Sequence, residues 1–227
     1  MPNDWMPGVR KQPTGATSSR TLGVEAVVCH VIQGYRSTMD TWAAERPAVN
    51  QASYHFVIDS DGTPTQYVPI SQRAWHAGRV PDPKAAATLW PLYKPGINPN
   101  DWTIGIGAEG MSESSWTPAQ HAGCVTILRW LNEEWGMTID ETTLATHSQL
   151  DPVSRAHDPG PNFMKEWLIT HTTDLPLDAD EPADPNKPPP LGPFDSQRWA
   201  EAWARGATPV RTEGGDHIYE IKIRSQE

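Results

Sequence analysis

The sequence is poor in basic residues and in long apolar runs. Its 18 Lys and Arg stand against 28 Asp and Glu, which gives a formal net charge of −10. No run of Lys or Arg could neutralise a row of phosphates, so we expect neither a nucleic-acid partner nor attraction to an anionic membrane. The longest apolar stretch, residues 24–32, is far shorter than the ~20 residues that span a bilayer. We therefore expect no membrane insertion.

We expect neither a leader peptide nor a cysteine framework, two features of exported proteins. The first residues have no basic start, apolar run or small-residue cleavage site, so we expect synthesis in the cytoplasm without a signal peptide. The two cysteines, Cys29 and Cys124, are too few for a disulfide framework. Each lies within an apolar pattern, where a thiol is usually a small buried hydrophobe. Both are predicted to be reduced core residues.

Proline, in contrast, is abundant, with 23 residues, and seven of these lie among acidic residues between positions 176 and 193. Such a composition stays extended and cannot build a packed core, so residues 174–193 are predicted to be a linker. Residues 194–227 then form a small C-terminal segment, below the ~40 residues at which a chain usually folds alone. Residues 22–173 are predicted to be the main domain, preceded by an N-terminal extension at 1–21.

Short β-branched stretches alternate with amphipathic helices in the main domain. Residues 24–32 and 102–108 are predicted strands. The clearest helix is 118–135, with Thr117 as its N-cap and Gly136 at its end. Further predicted elements are a helix from Ser37 or Thr38 to Arg46, a hairpin of residues 53–58 and 64–68, a short strand over 143–147 and a last helix from Pro161. This alternation favours an α/β domain around one mixed sheet.

Three side chains at strand ends or in Pro/Gly turns suit a divalent metal: His30, His147 and Asp158. Two neutral imidazoles and one carboxylate give Zn²⁺ three protein ligands and leave a fourth position open, as in catalytic zinc sites. A lone histidine on a strand is more often a hydrogen-bonded core residue. Taken by themselves, the residues leave both interpretations open.

Six collinear stretches of the sequence resemble the zinc-dependent N-acetylmuramoyl-L-alanine amidases, the family of phage amidase-type lysozymes and peptidoglycan recognition proteins. The stretches are VVCHVIQG (27–34), SYHFVIDSDGTPTQYVP (53–69), RAWHAGR (73–79), NDWTIGIGAEG (100–110), WTPAQHAGCVTILRWL (116–131) and THSQLDPVSRAHDPGPNF (146–163). They follow the family's order and cover nearly all of residues 22–170. The resemblance implies that His30, His147 and Asp158 are zinc ligands.

The same resemblance implies a fold, a reaction and a partner. The fold is a central mixed β-sheet with helices on both faces and a zinc cleft. The reaction is hydrolysis of the amide between N-acetylmuramic acid and L-alanine, so the partner is bacterial peptidoglycan, and we expect a monomer. The linker and C-terminal segment favour a phage endolysin that acts on the cell wall after release, with the segment binding wall or docking. The alternatives are a non-catalytic peptidoglycan-binding module and a cytoplasmic muropeptide-recycling amidase.

Further roles follow by position within the matched motifs. Tyr54 matches a tyrosine that orients the attacking water or stabilises the oxyanion, and the alternative is that it packs in the sheet. His76 and Trp75 match a cleft-wall motif that binds substrate, although Trp75 could equally be a core residue. Strand alternation places Tyr54 and Phe56 on one face and His55 on the other, so His55 is predicted to be structural.

The sequence departs from the family just before the third ligand. Many relatives have a lysine where this chain has Ala156, which removes an expected cation for the oxyanion. His157 and Arg155 are the candidate replacements, His157 as a catalytic residue and Arg155 as a substrate-binding one. His157 also competes with Asp158 as a zinc ligand. Asp158 is preferred because it alone occupies the Asp-Pro-Gly position.

A second departure lies on the predicted strand 102–108. The family often has Glu at the fourth place of an Ile-Gly-Ile-Glu string, and that place is Gly107 here. Glu109 lies two residues on, on the same strand face, and is predicted to act as a displaced general base or to support the ligands. The remaining histidines, His121, His171 and His217, are predicted to face solvent.

Overall fold

The computed structural model describes residues 2–44, 52–173, 208–211 and 217–220. The chain divides into two compact units, Met1–Leu175 and Pro176–Glu227. The predicted linker, residues 174–193, lies outside the described residues, as does most of the predicted segment 194–227. None of the helices in the described ranges is both long and apolar enough to cross a bilayer.

The first unit is built on a six-stranded mixed sheet, which confirms the predicted fold class. Its strands in chain order, with two that lie outside the sheet, are β1 (Arg10–Lys11), β2 (Thr17–Ser19), β3 (Ala26–Val31), β4 (Phe56–Ile58), β5 (Pro64–Gln66), β6 (Gln72–Ala74), β7 (Thr103–Ala108) and β8 (Leu144–Thr146). The sheet order is β1-β5-β4-β7-β3-β8. Only the β4–β5 pair is antiparallel within this sheet. Strands β2 and β6 form a separate antiparallel pair.

Five α-helices accompany these strands in the described part of the first unit. They are α1 (Arg36–Ala44), α2 (Pro83–Leu89), α3 (Pro118–Trp135), α4 (His147–Leu150) and α5 (Lys165–Thr173), with a short 3-10 helix at Pro99–Asp101. Helix α3 has the predicted bounds, because Thr117 and Gln120 form a capping box and Gly136 adopts φ 64° at its end. Helix α2, which begins after the N-cap Asp82, has no counterpart among the predicted elements.

Helices cover both faces of the sheet. Alternate residues of β3 point to opposite faces and pack against different helices. Cys29 packs with Cys124 in the core beneath α3 and α5, and both thiols are free and buried as predicted. Val28 packs on the other side in a second core with α2 and α4. His30, two residues beyond Val28, therefore points to the side of α4.

Residues 2–21 belong to this first unit, since β1 extends the sheet and β2 pairs with β6. The Arg20 guanidinium donates hydrogen bonds to the carbonyl oxygens of Ile70, Asn100 and Thr103 at 3.2–3.3 Å. Burial lowers the pKa of Arg20 to about 10, which leaves it charged at neutral pH. These contacts fasten the N-terminal residues to β7 and the loop before it.

The second unit contains two described strands, β9 (Thr208–Arg211) and β10 (His217–Glu220). They pair in antiparallel register, with His217 opposite Arg211. The predicted exposure of the His217 side chain falls outside what the structure describes.

Candidate metal centre

The three predicted metal ligands meet beside the carboxyl ends of two neighbouring parallel strands. His30 lies near the end of β3, and His147 begins α4 directly after β8, which pairs with β3. Asp158 lies in the loop before α5. His30 Nδ1 is 3.0 Å from His147 Nδ1. Asp158 Oδ2 is 2.9 Å from His147 Nδ1 and 3.9 Å from His30 Nδ1, and all three side chains are buried.

This set of donor atoms fits a zinc ion. Two imidazole nitrogens and one carboxylate oxygen are ligands that zinc accepts in catalytic sites. Zinc bonds of ~2.0–2.2 Å in a tetrahedral arrangement place neighbouring donor atoms about 3.3 Å apart, and the three observed separations lie on either side of that value. The residues are therefore a candidate metal centre with three protein ligands.

A hydrogen bond from the backbone orients the Asp158 carboxylate. Its Oδ1 accepts a hydrogen bond from the Val31 N–H at 2.8 Å, which leaves Oδ2 to face the two imidazoles. The loop itself is held by Trp116, whose indole Nε1 donates to the carbonyl oxygen of Pro159 at 2.9 Å. The third ligand is thus positioned by β3 on one side and by Trp116, just before α3, on the other.

The charge states of these residues suit metal binding at neutral pH. Burial, followed by the nearby His147, lowers the pKa of His30 to about 4, so its imidazole is neutral. Burial raises the pKa of Asp158, but the hydrogen bond with His147 and the nearby imidazole of His30 outweigh that effect and bring the pKa well below its ordinary value. Neutral imidazole and ionised carboxylate are the forms that bind zinc.

His76 lies directly behind His30, a contact that the motifs do not reveal. Its Nδ1 is 3.0 Å from His30 Nε2, and its Nε2 is 3.2 Å from Thr103 Oγ1. A Cβ on Gly105 would lie 2.4 Å from His76 Cγ, so only glycine at this position of β7 admits the imidazole ring. His76 is 4% exposed, which means that most of its surface serves these internal contacts.

A cavity of about 420 Å³ opens beside His147. The three residues predicted to bind substrate, Trp75, His76 and Arg155, all line it. A second cavity of about 580 Å³ shares Trp75, Arg79 and two further residues with the first. The two cavities together form an extended cleft, and half-buried Trp75 presents a surface to both of them.

Tyr54 is also close to the centre. Its ring centroid is 5.2 Å from that of His30 in an edge-to-face arrangement. Burial, and then the charge of Asp158, raises the pKa of Tyr54 well above its ordinary value, so its hydroxyl stays protonated. The structure thus allows Tyr54 to donate a hydrogen bond and prevents it from acting as a base at neutral pH.

The predicted partition of side chains around Tyr54 is wrong in one respect. Tyr54 packs with Val57, whereas Phe56 packs on the opposite side beneath α3. The chain bends at His55 before β4 begins, so strict alternation does not extend back to Tyr54. The structural role predicted for His55 is confirmed, because its buried Nδ1 accepts a hydrogen bond from the Gly105 N–H at 2.9 Å.

The structure does not bring Glu109 or His157 into the group of converging donor atoms. Glu109 Oε2 accepts a hydrogen bond from the Arg36 N–H at 3.1 Å, at the start of α1. His157 is exposed, as is Arg155, although Arg155 lines the cleft. The grouped donors are His30, His147 and Asp158. Catalytic roles for Glu109 and His157 remain predictions.

The predicted exposure of His121 is wrong. Its side chain is 1% exposed, and its Nδ1 donates to the carbonyl oxygen of Thr117 while its Nε2 accepts from the Met164 N–H. The rings of Trp116 and Phe163 pack against it. His121 therefore holds the loop that carries the third ligand against α3. His171 is half-buried and stacks on a tryptophan of its own helix.

Gly107, where the family pattern expects Glu, is enclosed by neighbouring side chains. A Cβ there would lie 2.4 Å from Ile32 Cγ2 and 3.3 Å from Tyr54 Cδ1. We expect Gly107→Ala to lower the free energy of unfolding by about 1–3 kcal/mol through overpacking, measured by urea denaturation. In an Ile32→Ala background, Gly107→Ala should lower the free energy of unfolding by less, because the closest methyl group is gone. Equal losses of unfolding free energy in both backgrounds would contradict this explanation.

Comparisons with known proteins agree on one family. The sequence profile described as N-acetylmuramoyl-L-alanine amidase matches residues 20–161. The 1,6-anhydro-N-acetylmuramyl-L-alanine amidase AmpD of Enterobacter cloacae is 34% identical over 115 residues, which are 51% of this chain and 53% of that protein. AmpD of Escherichia coli (strain K12) is 33% identical over 117 residues, 52% of this chain and 55% of that protein. The matched stretch thus spans about half the length of these relatives.

A solved structure supports the fold independently. The crystal structure of a selenomethionine AmpD derivative superposes with a TM-score of 0.57 at 23% sequence identity. The match covers 75% of this chain and 98% of that one. The likeness extends over most of the first unit.

Proposed function

Because the chain belongs to the N-acetylmuramoyl-L-alanine amidase family, we propose that its first unit hydrolyses the amide bond between N-acetylmuramic acid and L-alanine. The observation that carries this proposal is the convergence of His30 Nδ1, His147 Nδ1 and Asp158 Oδ2 next to an open cleft. A metal-free wall-binding module would not need three buried donors beside a cavity. The substrate is a peptidoglycan fragment or the polymer itself.

In this proposal, His30, His147 and Asp158 hold a zinc ion, which when bound polarises the scissile carbonyl and acidifies a water molecule. Tyr54, which stays protonated, donates a hydrogen bond to the oxygen that becomes negative in the transition state. Arg155, at the cleft wall, contributes a positive charge in place of the lysine that many relatives have at the position of Ala156. Trp75 provides an aromatic surface for the substrate.

Glu109 and His157 would act only in support of these residues, because neither side chain lies among the three converging donor atoms. Glu109 can act as a general base only if its carboxylate gives up the hydrogen bond that it accepts from the Arg36 N–H. Comparing the turnover of Glu109→Gln with that of the wild type tests the general base, and an unchanged rate would remove this role.

Mass spectrometry of digested peptidoglycan tests the reaction. We expect new free L-alanine amino termini and no new reducing sugar ends, because the cleaved bond is an amide. Chelation should abolish the cleavage, and added zinc should restore it. New reducing ends would instead identify a glycosidase. Unchanged cleavage under chelation would remove the metal from the mechanism, and zinc binding without any cleavage would favour the binding module.

We propose that the protein is a phage endolysin and that the reaction takes place on the cell wall. The predicted linker and C-terminal segment favour this setting because they suit attachment to a polymer. The names of the AmpD relatives favour a second candidate, recycling of soluble anhydro-muropeptides. Parallel assays on insoluble sacculi and on soluble 1,6-anhydro-N-acetylmuramyl peptide separate the two. Release of peptide from sacculi supports the lysin, whereas activity confined to the soluble substrate supports recycling.

A further inference from the structure

We propose that a buried chain of hydrogen bonds, from the Pro99 carbonyl through Thr103 and His76, fixes the tautomer of His30 and keeps its Nδ1 lone pair free for the metal. His76 and Thr103 are thereby positioning residues of the centre. This inference rests on the proposed metal site, but it is measured without turnover. Its failure can therefore be told apart from failure of the amidase assignment.

The Thr103 hydroxyl determines which group donates in each of these hydrogen bonds. Thr103 Oγ1 lies 2.7 Å from the carbonyl oxygen of Pro99, which can only accept, so the threonine hydroxyl donates its single proton there. The same oxygen lies 3.2 Å from His76 Nε2, and with its proton already used it can only accept. His76 must therefore carry its proton on Nε2.

The tautomer of His76 in turn determines that of His30. A neutral imidazole has one N–H, so His76 Nδ1 is an acceptor. The atom facing it at 3.0 Å is His30 Nε2, which must be the donor. His30 consequently carries its proton on Nε2, and its Nδ1, the atom that faces His147 and Asp158, has a free lone pair. Each assignment follows from the previous one because the threonine hydroxyl and each neutral imidazole have only one proton to donate.

Burial keeps this arrangement from relaxing. Thr103 and His30 are 0% exposed and His76 is 4% exposed, so water cannot readily replace a missing partner within the chain. Gly105, beneath the His76 ring, leaves the space in which that ring lies. With the opposite tautomer, His30 would direct an N–H at the other ligands and would have to lose that proton before it could bind a metal.

Thr103→Val tests the chain with little change of shape, and Thr103→Ser is the matched control that retains a hydroxyl. We expect Thr103→Val to bind zinc about 10–100-fold more weakly in a chelator-competition titration of the full chain. Thr103→Ser should bind like the wild type. If Thr103→Val is folded and binds zinc as tightly as the wild type, the proposal is wrong.

Nitrogen-15 NMR of the imidazole rings in the metal-free full chain reads the tautomers directly. We expect both His30 and His76 to be protonated on Nε2 in the wild type, and Thr103→Val to show a mixture at His76. A wild-type His30 protonated on Nδ1 would overturn the proposal, whatever the enzyme's activity.

A second pair of variants covers the case in which Thr103→Val does not fold. The oxygen of an asparagine at position 76 can accept from His30 Nε2, whereas leucine cannot. We therefore expect His76→Asn to bind zinc more tightly than His76→Leu. Equal affinities of these two variants would contradict the proposed role of His76.

Discussion

Replacing Asp158 with asparagine is expected to lower kcat/KM for amide hydrolysis by about 10³-fold and to remove most of the bound zinc. The variant keeps an acceptor for the Val31 N–H but loses the negative charge that faces the two imidazoles. Metal catalysis contributes several kcal/mol to the transition state, and ~4 kcal/mol corresponds to about 10³ in rate. The measurements are steady-state kinetics on a soluble muropeptide and zinc content by elemental analysis.

His157→Ala is the matched control for this experiment. His157 is the neighbouring residue and a good zinc ligand by chemistry, yet it is exposed and lies outside the converging donors. We expect His157→Ala to retain the zinc content of the wild type. If His157→Ala lost the metal while Asp158→Asn kept it, the ligand assignment would be reversed.

Tyr54→Phe is expected to lower kcat by about 10²-fold with little change in KM, the loss typical of removing one donor to an oxyanion. The ring remains, so its edge-to-face contact with His30 and the packing around it are preserved. Zinc content should therefore be unchanged. Because the pKa of Tyr54 is raised, its ionisation should not limit activity near neutral pH.

Tyr67→Phe controls for the general effect of removing a phenol. Tyr67 is also buried, but its hydroxyl donates to Asp40 Oδ1 at 2.7 Å on the α1 side of the sheet. It should leave kcat near the wild-type value. Equal losses of kcat in the two variants would indicate a packing effect and would argue against a catalytic role for Tyr54.

The parts of the fold that the sequence predicted well are those fixed by local signals. Helix α3 has its cap, its first proline and its final glycine in the sequence, and the structure has the same bounds. Strands β3 and β7 end within two residues of their predicted limits, since apolar β-branched runs mark them. The metal ligands came from motif resemblance, which already contains the long-range information that brings His30, His147 and Asp158 together.

The features that sequence reasoning missed depend on contacts between distant residues. The approach of His76 to His30 needs the side-chain space above Gly105, which no local pattern reveals. The local pattern predicts an exposed His121, because much of its burial comes from Phe163 and Met164, which lie far along the chain. Strict alternation puts Tyr54 on the wrong face, because a single bend before β4 interrupts the two-residue period.

The attachment of the first twenty residues limits how far the first unit can be shortened. A fragment starting at residue 22 would lack the guanidinium that satisfies the carbonyls of Ile70, Asn100 and Thr103. It would also leave β5 as a bare sheet edge, able to pair with other molecules. Such a trimmed protein should precipitate or self-associate on expression, so a minimal fragment of the first unit must retain Arg20 and the strands before it.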